Sequence, residues 1–111
     1  GNLTARRLDD RVLWRQRLDA ATFLGAHDLD GDGAPELLVS AGNPSRLHVL
    51  DPGTGAVRFV SPHRPRSGVA GVKVGKLIPE RRGLQAVVWA HLDEIGYCLS
   101  FDKGIERAAL E

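Results

Sequence analysis

A chain of 111 residues with 42% hydrophobic residues is long enough for one compact core. Its formal charge of +1, from 15 Lys and Arg against 14 Asp and Glu, argues against a nucleic-acid or anionic-membrane partner. Cys98 is the only cysteine, which excludes an intrachain disulfide, and no apolar run approaches the roughly 18 residues of a membrane helix.

Short apolar or alternating runs at 12–14, 36–40, 47–50, 56–60, 85–89 and 97–101 are each bounded by Gly, Pro, Asn or Asp. That is the pattern of strands separated by tight turns, and no stretch keeps helical spacing. The predicted class is all-β. Residues 5–14, 46–59 and 96–109 each read as strand, turn and strand. In each, an Asp (Asp9, Asp51 or Asp102) follows an apolar residue and opens the turn, where its carboxylate can accept from backbone amides two residues on.

The stretches before the second and third hairpins also match each other, 26–41 against 74–90. Asp28 and Lys76 lie 48 residues apart, and Asp51 and Asp102 lie 51 apart. A repeat of about 50 residues with four short strands is the period of a β-propeller blade. The expected organisation is a trailing hairpin over 1–17, one whole unit over 18–62 and a second over 63–111. About two and a half blades make an incomplete ring, since closed propellers have four to eight. With neither a methionine nor a signal sequence, the chain reads as a piece of a longer protein that supplies the remaining blades. Copies that assemble as a homo-oligomer are the alternative.

Asp28-Leu29-Asp30-Gly31-Asp32-Gly33-Ala34-Pro35-Glu36 carries the chemistry. Asp28, Asp30, Asp32, Ala34 and Glu36 stand at positions 1, 3, 5, 7 and 9 of a metal loop, with Ala34 offering its backbone carbonyl and Gly33 the sharp turn. Four carboxylates with no His or Cys ligand favour Ca²⁺ over transition metals or Mg²⁺. An EF-hand would need an acidic residue at position 12, where Val39 stands, and flanking helices. The loop is therefore expected between two strands, as a structural rather than a catalytic site. In the second unit Lys76, Ile78 and Glu80 replace the three aspartates, and the lysine is expected to substitute its own charge for the ion's.

Residues 26–39 resemble an FG-GAP or VCBS-type repeat, the calcium-loop blade of integrin α-subunits and many bacterial exported proteins. Residues 47–59 resemble the outer strands of PQQ-like blades. The resemblance implies a propeller blade with Ca²⁺ between its first two strands, an extracytoplasmic location, and adhesion or ligand binding. A protein or carbohydrate would be the partner, and the segment is expected not to be an enzyme. The alternative is a non-catalytic part of a propeller hydrolase, lyase or quinoprotein.

Among the remaining residues, His27 is expected to point away from Asp28, and His48, His63 and His91 show no ligand spacing. Trp14 and Trp89 are expected to pack between units, with a sugar-binding face as the alternative. His63-Arg64-Pro65-Arg66-Ser67 reads as a solvated connection, with contact to an anionic partner as the alternative. Lys73, Lys76, Arg81 and Arg82 read as a local basic patch, and Cys98 as a strand residue.

Overall fold

A computed structural model describes residues 2–6, 12–62, 66–90 and 96–110. The turn at Asp9 and Asp10, the His63-Arg64-Pro65 connection and His91 lie outside these residues. All regular structure described is strand, apart from one 3₁₀ turn at Ile105–Arg107. β1 (Asn2–Arg6) and β2 (Val12–Arg17) form an antiparallel hairpin. β3 (Thr22–His27), β4 (Glu36–Gly42), β5 (Ser45–Leu50) and β6 (Val57–Val60) form a four-stranded antiparallel meander. β7 (Val69–Gly75), β8 (Gln85–Ala90), β9 (Tyr97–Ser100) and β10 (Ala109–Leu110) form a second meander with the same strand order. The repeat expected from the sequence is present as two sheets of equal topology, neither of them closed.

The first sheet is covered on both faces. Side chains alternate along β4 as a pleated strand requires. Leu38, with Leu47 and Val49 of β5, packs on Val69, Ala86, Val88 and Leu99 of the second sheet, where Phe101 and Ile105 complete the core. Val39 and Leu50, with Leu37 beside them, face the opposite way onto Trp14 of the hairpin. The second sheet meets the first with the face that includes Ala86 and Val88. The alternate residues of β8, Val87 and Trp89, are exposed on its far side.

Trp14 packs as the sequence suggests: it is buried, and its indole N–H donates to the Pro52 carbonyl at 2.7 Å. Trp89 does not lie between the described sheets. It is 44% exposed, and its ring fills the space a Cβ would occupy at Gly71, its cross-strand partner. Turn chemistry also divides. Asp51 Oδ1 accepts from the Gly53 and Thr54 amides at 2.7 and 3.3 Å, as expected, whereas Asp102 accepts from the Ser100 hydroxyl at 3.1 Å. The third hairpin is not simply strand, turn and strand. After Asp102 the chain makes the 3₁₀ turn, which sinks Ile105 fully into the core, and only then adds the two residues of β10.

Gly55 has φ +75°, and a Cβ there would overlap the six-membered ring of Trp14. Gly55→Ala should therefore lower stability by about 2–3 kcal/mol through overpacking and left-handed backbone strain. Urea unfolding would register this, and an unchanged midpoint would contradict the hairpin's packing on the first sheet.

Candidate metal centre

The acidic loop joins β3 to β4, between two strands and with no flanking helices, as the sequence argument against an EF-hand requires. Its backbone is curled by its own carboxylates. Asp28 Oδ1 accepts from the amides of Gly31 and Asp32 at 3.1 and 3.2 Å, and Oδ2 from Gly33 at 2.9 Å. Asp32 Oδ1 accepts from the Ala34 amide at 2.9 Å. Gly31 and Gly33 have φ of +77° and +91°, conformations that glycine adopts without Cβ strain.

The loop is fixed at the junction of the two sheets. Leu29 is fully buried in the shared core, and its carbonyl accepts the Leu84 amide of the second sheet's corresponding loop at 3.0 Å. Glu36, the first residue of β4, is only 1% exposed. Its Oε1 accepts the Leu29 amide at 3.0 Å, closing the loop base, and its Oε2 lies 3.6 Å from Arg58 Nη1.

One oxygen from each of Asp28, Asp30, Asp32 and Glu36 lies within 4.8 Å of the others. The structure thus brings together the four carboxylates expected from the sequence. Ala34 stands in the same loop through its bond to Asp32. Asp30 Oδ1 is buried and has no hydrogen-bond partner. Burial and the neighbouring Asp32 carboxylate raise the Asp30 pKa, although loop amides oppose the shift. Burial, with Asp30 and Asp32 adding to it, likewise raises Glu36 against the Leu29 amide and Arg58. Asp32 moves down, mainly because the Ala34 amide stabilises its anion. A cluster of hard oxygens with one buried and unpartnered among them suits a metal ion.

His27 lies outside the cluster, with its ring over Gly25. His48 Nδ1 is within 3.0 Å of the Arg46 carbonyl, on the neighbouring strand β5. A cavity of about 380 Å³, lined in part by Asp19, Pro44 and Arg46, sits by the β4–β5 turn, at the opposite end of the sheet from the loop.

The second sheet's loop, between β7 and β8, repeats this construction with different charge. Gln85 stands where Glu36 does, first in its strand and buried. Its Oε1 accepts the Leu77 and Ile78 amides at 2.9 and 2.8 Å, the counterpart of the Glu36–Leu29 bond. The Lys76 ammonium donates to the Gly83 carbonyl at 3.0 Å. Gly83 precedes Gln85 by the same two residues that separate Ala34 from Glu36. The lysine therefore sits on the carbonyl that corresponds to the one predicted as a ligand in the first loop. Gln85 and Arg58 escaped the sequence reading as site residues. The match of Gln85 to Glu36 was available from the internal repeat, but nothing local marks Arg58.

No family model, curated protein or solved structure matches this chain.

Two substitutions test this construction without added metal. Asp30→Asn removes one of the converging like charges, and should raise stability in chelator by roughly 0.5–1 kcal/mol. Gln85→Leu leaves two part-buried loop amides without their acceptor and should cost about 2 kcal/mol in urea unfolding. A destabilised Asp30→Asn variant in chelator would contradict the assigned repulsion.

Proposed function

We propose that this segment is a calcium-stabilised pair of β-propeller blades, preceded by the outer hairpin of another. It serves ligand binding or protein interaction in an exported or cell-surface protein. The observation that carries the proposal is the convergence of Asp28, Asp30, Asp32 and Glu36 around a buried, unpartnered Asp30 oxygen. Like charges at this separation repel, and a divalent ion removes the repulsion and supplies the missing partner at once. Ca²⁺ fits the all-oxygen set and the flexible loop that carries it. The ion would be held by the four carboxylates with the Ala34 carbonyl.

The blade reading is supported by the two meanders of identical strand order. The Leu38 face of the first sheet is covered by the second, and the corresponding Val87 and Trp89 face of the second awaits a further sheet. We assign that sheet to the remaining blades of a longer chain. The extracytoplasmic location rests on the resemblance to FG-GAP and VCBS-type repeats.

A thermal melt in millimolar Ca²⁺ against chelator tests the proposal. With free Ca²⁺ about 100-fold above Kd, linkage adds about 2.7 kcal/mol, and Tm should rise by roughly 10 °C. Asp30→Ala should abolish the rise. An equal Tm in both buffers would refute the calcium site.

The pH dependence follows from the shifts. Ligand carboxylates must be deprotonated, so affinity should fall as pH drops. Because Asp30 and Glu36 are raised, the fall should begin above the ordinary carboxylate range. Without metal the same two groups work in the opposite sense on stability. Their ionised forms destabilise the fold, and that cost disappears as pH falls through their raised pKa values. Calorimetric titration between pH 7 and pH 5 should show weakening Ca²⁺ binding, and a flat affinity would contradict the assignment of these ligands.

A further inference from the structure

Arg58 lies in β6, outside the acidic loop, and reaches two carboxylates on different sheets. Its guanidinium makes two bonds to Glu106 of the 3₁₀ turn, Nε to Oε1 at 2.8 Å and Nη2 to Oε2 at 3.3 Å. Its remaining nitrogen, Nη1, is 3.6 Å from Oε2 of Glu36. Glu106 is 61% exposed at the side chain and Glu36 only 2%, so the cation bridges a solvated acid and a buried one. Glu36 Oε1 is already taken by the Leu29 amide, which makes Oε2 the oxygen that Arg58 and a bound ion would share.

We propose that Arg58 is the built-in competitor of the ion: it sets the loop's cation affinity and ties occupancy to the contact between the two sheets. This rests on the calcium reading of the loop given above. When the ion binds, its charge and that of Arg58 compete for Glu36, and the guanidinium is left to Glu106. Glu106, on the second sheet, is the seat the guanidinium keeps when the ion takes Glu36. Two residues outside the loop should therefore shift its affinity in opposite directions.

Arg58→Gln removes the competing charge, and should tighten Ca²⁺ binding about tenfold at low ionic strength. Glu106→Gln frees Arg58 to settle on Glu36, and should weaken binding about threefold. Competition with a fluorescent calcium chelator reads both. Melting curves in metal-free buffer check that the variants fold, and Glu106, being exposed, supplies a variant with little packing to lose. A purely structural role for the bridge would loosen the sheet junction in both variants and weaken binding in both. Equal or weaker binding by folded Arg58→Gln overturns the inference while leaving the calcium site intact. Absence of Ca²⁺ binding by the unmodified protein overturns both.

Discussion

A carboxylate buried to 1% exposure has to be compensated, and Glu36 is placed where its compensation organises everything around it. One oxygen holds the Leu29 amide, and Leu29 in turn is the loop residue sunk into the core between the sheets. The other oxygen faces Arg58, whose further bonds reach the second sheet. Asp30 and Asp32 add negative charge on the same side and push the Glu36 pKa upward. The amide and the guanidinium offset only part of this. The geometry of the loop and the junction of the sheets are thus consequences of one buried charge, and the proposed cation would complete its compensation.

The two halves of the chain solve the same geometrical problem with different charge. Each sheet begins its second strand with a buried side chain whose oxygen accepts amides from the preceding loop. Where that side chain is Gln85, neutral, the nearby ammonium of Lys76 sits on a loop carbonyl and the arrangement is complete within the chain. Where it is Glu36, three further carboxylates converge, and Arg58 is the cation that faces it, at 3.6 Å. The comparison is internal to one molecule and separates what the backbone needs, an acceptor at the strand start, from the charge that the proposed cation would offset. It also explains why the second loop tolerates Ile78 at the position of Asp30.

Much of this was legible in the sequence, for a physical reason. Period-two alternation and turn residues are local, so the strands from β4 to β6, β8 and β9 and the Asp51 turn appear where the pattern puts them. Metal-loop spacing is local as well, and the four carboxylates do converge. What escaped depends on distant contacts. The segment 105–107 turns as 3₁₀ because Ile105 is drawn into a core built by both sheets. Trp89 has the composition of a buried strand residue, and its exposure follows from which face of the second sheet the first one covers. Arg58 looks like any outward strand cation until Glu106, 48 residues on, is brought beside it.

The central claim is that one loop of this chain, and not its degenerate counterpart, takes up a calcium ion. Equilibrium dialysis against radiolabelled Ca²⁺, with the chelator-stripped protein at neutral pH, measures that directly as ions retained per chain. The account predicts a plateau at one, and a plateau of zero in Asp30→Ala. Retention of no ion at millimolar Ca²⁺ would contradict it, as would a second equivalent bound through the Lys76 loop.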